Sequence, residues 1–132
     1  MAEVIYLDSS SIIKLVIREA ESVALIEFLR HRVQRASSAV ARVEVLRSLH
    51  RAGATQAQRD HAVEILQRLA LIRINDAILE SAAELEPLDL RSLDALHLAS
   101  ALSLQPDLEG IVTYDKRLAA AARPLMAVWS PR

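Results

Sequence analysis

The chain alternates short apolar runs with longer segments in which apolar residues recur every three or four positions. The first run, residues 3–7, contains Val, Ile, Tyr and Leu with little polar alternation, which is typical of a central parallel strand buried on both faces. Similar runs follow at residues 33–36, 71–74, 110–113 and 126–129. We therefore predict five strands.

Helical segments fill the intervals between these runs. Ser9, Ser10 and Ser11 offer N-cap chemistry for the first helix, Ser37 and Ser38 for the third, and Gly53 marks the end of that third helix. Thr55 begins the next helix, Asp76 caps another, and Pro87 stops it. The predicted helices cover residues 12–16, 21–31, 39–52, 55–69, 76–86, 92–104 and 116–122.

Regular alternation of strands and helices predicts an α/β fold with a parallel sheet covered on both faces. The chain has two glycines, no internal repeat and no Gly/Ser-rich linker, so we expect a single domain over residues 1–132. In such sheets functional side chains are favoured at the carboxyl ends of the strands. Asp8 and Asp115 both follow predicted strands.

Amino-acid composition excludes several kinds of binding site and fold. Hydrophobic residues make up 52% of the chain but aromatic residues only 3%, so Ala, Leu, Ile and Val must build the core and little aromatic surface remains for stacking bases. The absence of cysteine excludes disulfides and thiolate metal sites, and any metal must bind oxygen or imidazole. No apolar run approaches the ~18 residues that a membrane span needs. We expect a soluble, cytoplasmic protein.

The formal net charge of −1, from 16 basic and 17 acidic residues, provides no electrostatic argument for nucleic-acid binding. Local distribution matters more, because acids that bind metal lower the net charge while arginines elsewhere form a basic surface. Candidate contacts to RNA phosphates are the pairs Lys14 and Arg18, Arg47 and Arg51, and Lys116 and Arg117. Ordinary solvated helix charges explain each pair at least as well.

Four acids are the candidate functional residues. Asp8 and Asp115 follow strands, and for each the alternative is a structural role as a helix N-cap. Glu44 lies among apolar neighbours on its predicted helix, where the alternative is an ion pair with Arg47 or with a Lys or Arg from another segment. Asp94 shares a helix face with Leu98 and Ala101, which should be buried, and the alternatives are a partner in Arg91 or the helix dipole.

The joint pattern carries more weight than any single acid, because residues from four distant segments are expected at one rim of the sheet. Carboxylates a few ångströms apart raise each other's pKa, so their convergence implies shared protons or a bound divalent metal. Oxygen ligands alone favour Mg²⁺ or Mn²⁺. His97 lies three residues after Asp94, but the four histidines lack ligand-like spacing, and we assign His97 to the core or site wall.

Four stretches of the sequence resemble the PIN-domain family, and most closely its VapC-type toxin ribonucleases. They are residues 6–14 (YLDSSSIIK), 44–47 (EVLR), 93–99 (LDALHLA) and 112–118 (VTYDKRL), in the family's order along the chain. The resemblance implies a three-layer α/β/α sandwich around a parallel sheet of about five strands. It also implies that Asp8, Glu44, Asp94 and Asp115 form the acidic site, with Ser10 as a hydrogen-bonding hydroxyl.

By the same resemblance the protein is expected to be a Mg²⁺- or Mn²⁺-dependent endoribonuclease and the toxin of a type II toxin–antitoxin system. The implied partners are an RNA substrate such as tRNA or rRNA, a VapB-like antitoxin and a second copy of the chain. We assign metal binding to Asp8, Asp94 and Asp115, and metal binding or water positioning to Glu44. Thr113 lies where some PIN nucleases have a further acid, so a second metal is expected to bind weakly.

A receiver-like phosphoacceptor signalling domain is the alternative from a different class. It has a similar size and fold and uses an Asp at a strand end. Such domains need an acidic pair after the first strand, whereas Asp8 is followed by Ser9 and Ser10. A phosphatase with an Asp nucleophile would likewise need an acid at position 10, and a purely structural binding module leaves Asp94 unexplained.

Overall fold

Five strands and seven helices alternate along the described part of the chain. The computed structural model describes residues 2–132. The elements are β1 (Val4–Leu7), α1 (Ser9–Val16), α2 (Ser22–Leu29), β2 (Arg35–Ser38), α3 (Ala41–Arg51), α4 (Gln56–Gln67), β3 (Ala70–Ile72), α5 (Asp76–Glu84), α6 (Ser92–Leu102), β4 (Leu108–Val112), α7 (Lys116–Ala122) and β5 (Val128–Trp129).

The five strands form one parallel sheet in the order β3-β2-β1-β4-β5. The sequence prediction of a five-stranded parallel sheet is therefore confirmed. The first strand, β1, is central, and its Leu7 pairs with Val112 of β4. The two strands end level with each other, so Asp8 and Thr113 leave the sheet side by side.

Two apolar cores lie on opposite faces of the sheet, which explains why β1 scarcely alternates. Ile5 and Leu7 pack into one core with residues of α1 to α4, such as Ile12 and Val45. Tyr6 points to the other face, where α6 and α7 contribute the second core; its members include Leu98, Ala101, Ile111 and Leu118. This is the predicted three-layer sandwich.

In residues 2–132 no helix combines the length and apolarity required to cross a bilayer.

Several predicted boundaries are wrong by two or three residues. Ser37 and Ser38 were expected to cap a helix but lie fully buried in β2, and α3 begins only at Ala41, without a side-chain cap. Ser38 instead accepts a hydrogen bond from the Val40 amide at 3.2 Å. The observed strands β2, β3 and β4 cover 35–38, 70–72 and 108–112 rather than 33–36, 71–74 and 110–113.

Helix caps also differ from prediction. Asp8, not the following serines, is the N-cap of α1. Asn75 caps α5 by accepting from the Ile78 amide, whereas Asp76 is already helical. Thr55 caps α4 in a reciprocal capping box, and Gly53 adopts φ 71° after α3, as expected for the residue that ends a helix.

Candidate active site

Asp8 is a buried carboxylate, only 3% exposed, at the carboxyl end of β1. Its Oδ1 accepts the Ser11 amide at 2.9 Å, the hydrogen bond that caps α1. Hydroxyl groups of Ser10, Ser11 and Thr113 approach the carboxylate within 2.5–2.9 Å. Within residues 2–132 no cation pairs with Asp8, so neutral donors alone compensate its burial.

Ser10 and Thr113 join the ends of β1 and β4. Thr113 Oγ1 donates to Asp8 Oδ2 at 2.5 Å and accepts from the Asp115 amide at 3.1 Å. Ser10 Oγ contacts both Asp8 oxygens and accepts from the Tyr114 amide at 3.0 Å. The bonds from Thr113 to Asp8 and from Tyr114 to Ser10 each span more than 100 residues of sequence. Together they fix Asp8 relative to the start of α7.

Glu44 lies in the first turn of α3 and is held by two partners from other elements. Its Oε1 accepts from Ser9 Oγ at 2.8 Å and lies 2.7 Å from His97 Nε2. Burial raises the pKa of Glu44, but the hydrogen bond and charge of His97 and the Ser9 hydroxyl outweigh it, and the net pKa is lowered. The ionised carboxylate is therefore the favoured form.

Asp94 is a half-buried acid in the first turn of α6. Leu98 and Ala101 on the same helix face are fully buried, as the sequence predicts. Burial raises the pKa of Asp94, and the charges of Asp115, Asp8 and Glu44 raise it further against the opposing effect of His97. The charges of all three other candidate acids therefore contribute to the pKa of Asp94.

Asp115 is the N-cap of α7, as its alternative interpretation proposes. Its Oδ1 accepts from the amides of Arg117 and Leu118 at 2.9 and 3.2 Å. Over the described chain Oδ2 accepts no hydrogen bond. A capping role thus occupies one carboxylate oxygen and leaves the other available, so the structural and functional roles are compatible.

The ion pairs that would explain Glu44 and Asp94 structurally do not form among residues 2–132. Glu44 contacts His97 and Ser9 rather than Arg47. Asp94 makes no ion pair with Arg91. Asp94 therefore combines partial burial with three neighbouring negative charges, and only the effect of His97 opposes them, since no Lys or Arg of the described chain pairs with it.

The four acids offer oxygen ligands only, which suits a hard divalent cation. A cation would reverse the repulsion that raises the pKa of Asp94. In the part of the chain that the structure describes, no three His, Asp or Glu side chains are arranged to hold a metal. The donor chemistry fits Mg²⁺ or Mn²⁺, and clustering of all four carboxylates within metal-bridging reach stays a prediction.

Among the basic candidates, Lys14 is already paired. Its Nζ lies 2.9 Å from Glu21 and 3.6 Å from Glu19, and 4.8 Å from the centre of the Tyr114 ring. Lys14 therefore stabilises the packing of α1. Arg117 lines a cavity of about 360 Å³ beside Asp94, together with Arg91, which keeps it a candidate contact to RNA.

His97 is the residue whose importance sequence reasoning missed. The prediction of a core position is confirmed, since it is 2% exposed. No sequence pattern indicates, however, that its ring bridges Tyr6 and Glu44. Only its spacing of three residues from Asp94, which puts both on one side of α6, pointed to the site.

Comparison with known proteins agrees with this fold. The family model described as the PIN domain matches residues 5–124. The chain belongs to the PIN domain family. This PIN domain is 48% identical to Ribonuclease VapC46 of Mycobacterium tuberculosis over 128 residues, which are 96% of this chain and 97% of that protein. The receiver-like alternative is thereby set aside.

Solved structures share the fold at low sequence identity. A chain from a toxin–antitoxin complex of Klebsiella pneumoniae superposes with a TM-score of 0.73 and 23% identity, covering 96% of this PIN domain and 97% of that chain. VapC20 of Mycobacterium tuberculosis, described as a toxin that cleaves the sarcin–ricin loop, gives 0.72 and 15%, covering 89% and 94%. These likenesses confirm the architecture.

Proposed function

We propose that this PIN domain, taken as a single domain over residues 1–132, is a Mg²⁺- or Mn²⁺-dependent endoribonuclease and the toxin of a type II toxin–antitoxin system. The observation that carries the proposal is Asp94: a half-buried acid without an ion pair to Lys or Arg in the described chain, whose pKa is raised first by burial and then by the charges of three other acids from separate elements. A structural role does not require that arrangement. The 48% identity to a VapC ribonuclease supports the reaction class.

Asp8, Glu44, Asp94 and Asp115 would hold the metal, and Ser10 and Thr113 would orient Asp8. When bound, a divalent cation at such a site polarises the scissile phosphate, lowers the pKa of a water molecule and offsets charge that develops during in-line displacement. Glu44 is the candidate to position the water, because it is ionised and held on one side only. Water attack yields a 5′-phosphate.

Hydrogen bonds within the protein hold two of the candidate carboxylates in fixed orientations before any ligand binds. Asp8 is fixed by three hydroxyl groups and an amide, and Glu44 by a serine and a histidine, so neither carboxylate must be reoriented when substrate arrives. The hydroxyl of Thr113 replaces an acid, which reduces the negative charge available to a second metal.

A VapB-like antitoxin and a second copy of the chain are the proposed protein partners, and RNA such as tRNA or rRNA is the proposed substrate. Support for the antitoxin comes from the structural neighbour in a toxin–antitoxin complex. The site chemistry agrees, because a cluster of carboxylates attracts a guanidinium group as well as a metal.

RNA cleavage by purified protein tests the proposal. We expect cleavage to require Mg²⁺ or Mn²⁺ and to fall about 10²-fold or more in Asp94→Asn and Asp8→Asn, because loss of an anionic ligand misplaces the reacting groups. Ca²⁺ should bind but support the reaction poorly.

Asp107→Asn is the matched control, since Asp107 is exposed and directly precedes β4 at the opposite end of the sheet. It should cleave like the wild type. Urea unfolding of each variant separates a catalytic defect from misfolding. Full activity in EDTA, or in folded Asp94→Asn protein, contradicts the proposed function.

A further inference from the structure

A chain of hydrogen bonds links the interior of the protein to the acidic site. Tyr6 Oη lies 2.7 Å from His97 Nδ1, and His97 Nε2 lies 2.7 Å from Glu44 Oε1. Tyr6 is fully buried and His97 is 2% exposed, whereas Glu44 reaches the surface of the site. The three residues belong to β1, α6 and α3, so the chain joins the central strand to helices on both faces.

The protons of this chain have one consistent arrangement when the imidazole is neutral. Glu44 is ionised and can only accept, so the hydrogen must be on His97 Nε2. Nδ1 then accepts the hydroxyl hydrogen of Tyr6. Tyr6 is fully buried and lies 2.7 Å from Nδ1, so its hydroxyl is placed to donate there. Each end of the ring is thus held by a directional partner.

Both polar contacts of Glu44 fall on the same oxygen. Ser9 Oγ and His97 Nε2 approach Oε1, and across residues 2–132 nothing donates to Oε2. The second oxygen is therefore free for a ligand while the carboxylate group is prevented from rotating. His97 also lies three residues after Asp94, so α6 supplies one site acid directly and restrains another.

Resting on the proposed function, we infer that His97 is a positioning residue: its Nε2–H, held by the Tyr6 hydroxyl behind it, orients Glu44 so that Oε2 faces the metal and the attacking water. The residue does not itself touch substrate. Residues that hydrogen-bond to a metal ligand hold that ligand in its binding orientation. Their loss commonly reduces metal affinity or activity 10- to 100-fold.

A packing role is the competing explanation, since the His97 and Tyr6 rings meet edge to face with centroids 5.8 Å apart. Packing depends on the volume of the ring, whereas positioning depends on a donor at the place of Nε2. Two substitutions of His97 distinguish the packing role from the positioning role. The amide nitrogen of His97→Gln reaches the place of Nε2, while that of His97→Asn reaches only the place of Nδ1.

The experiment measures Mn²⁺ binding by calorimetry and RNA cleavage on the full chain. We expect His97→Asn to raise the Mn²⁺ dissociation constant about 10- to 100-fold and to lower kcat more than KM changes, because Glu44 loses its orientation and RNA contacts remain. His97→Gln should stay close to the wild type. Equal losses in Asn and Gln variants, or no loss in either, overturn the inference.

An independent readout uses the nitrogen chemical shifts of the imidazole, which report the tautomer without any metal or substrate. We expect the Nε2–H form in the wild type and also in Tyr6→Phe, because Glu44 still accepts from Nε2. Glu44→Ala, which removes that acceptor, should give a mixed population. An Nδ1–H wild type contradicts the inference even if cleavage is normal. A wild type that neither binds Mn²⁺ nor cleaves RNA defeats the proposed function, and the inference with it.

Discussion

At the scale of single residues, Asp8 is held by hydroxyl groups and an amide, and Glu44 by a hydroxyl and the His97 imidazole; within residues 2–132 neither acid pairs with a Lys or Arg. Neutral donors fix a carboxylate without cancelling its charge. No Lys or Arg of the described chain neutralises these carboxylates, so they can still attract a cationic ligand.

Thr113→Val should destabilise the protein because it removes a buried hydroxyl while keeping the shape of the side chain. Asp8 Oδ2 loses one of its two donors and keeps only Ser10, and the Asp115 amide loses its acceptor; removing a buried hydrogen-bond partner in this way costs about 1–3 kcal/mol. Urea unfolding measures the loss. Thr113→Ser keeps the hydroxyl and is the matched control; equal unfolding midpoints for the Val variant and the wild type would contradict the role given to Thr113.

The raised pKa of Asp94 predicts a pH dependence of stability in the metal-free protein. Because the folded state binds the Asp94 proton more tightly than the unfolded chain, this residue stabilises the fold below its ordinary pKa. That contribution disappears as the pH rises through the raised value. In EDTA at neutral pH, Asp94→Asn should therefore melt at the same temperature as the wild type or higher.

Melting curves of both proteins between acidic and neutral pH test this expectation. The difference between them should grow as the pH rises through the raised pKa and vanish in acid, where Asp94 is protonated. A variant that melts lower than the wild type at neutral pH would instead indicate a stabilising partner such as Arg91.

At the scale of elements, strands with unbroken apolar runs were predictable and buried serines were not. The run in β1, the helix around Asp94 and the strand before Asp115 followed from periodicity alone. The error at β2 arose because Ser37 and Ser38 look like cap residues, yet the sheet buries both. Local sequence cannot reveal this, since it depends on the neighbouring strands. The bridge from His97 to Glu44 spans 53 residues and was invisible for the same reason.

Gly110→Ala tests how closely β4 and β5 must approach. An added Cβ would lie 2.5 Å from the Ala127 carbonyl oxygen and would also overlap the ring of Trp129. Backbone cannot yield as a flexible side chain does, so we expect a loss near the upper end of the roughly 1–3 kcal/mol typical of overpacking, together with weaker RNA cleavage because β4 carries the Thr113 end of the site.

Gly53→Ala is the comparison variant. Alanine at this position meets no atom within 4 Å but must adopt φ 71°, which costs about 1–2 kcal/mol. It should lower the unfolding midpoint and leave cleavage unchanged. Equal cleavage by folded Gly110→Ala and Gly53→Ala would show that the β4–β5 spacing does not affect the site.

At the scale of the whole molecule, the four candidate acids lie in or beside elements that also build the cores: Asp8 follows β1, Glu44 lies in α3, Asp94 lies in α6 and Asp115 precedes α7. Asp8 and Asp115 cap the helices that cover opposite faces of the sheet. The architecture therefore gives the same side chains a part in folding and a part in the proposed chemistry. Variants at Asp94, which caps nothing, separate the two most cleanly.

Expression in bacteria should slow growth if the protein is a toxin, and Asp94→Asn should relieve the effect while Asp107→Asn does not. Growth curves at matched protein levels measure this. A small antitoxin encoded beside the gene should co-purify with the chain and restore growth. Normal growth with active wild-type protein and no captured partner would remove the toxin assignment and leave the nuclease activity to be judged by cleavage.

The hydrogen bonds from Thr113 to Asp8 and from Tyr114 to Ser10 also set an order of events during synthesis. The first half of the site, Asp8 to Ser11, emerges early from the ribosome, but β4 pairs with β1 only after nearly the whole chain has been made. Translation at about 5–20 residues per second separates the two by several seconds. An unfinished chain therefore lacks the contacts of Thr113 and Tyr114 to Asp8 and Ser10, and the arrangement around Asp8 can be completed only after β4 has emerged.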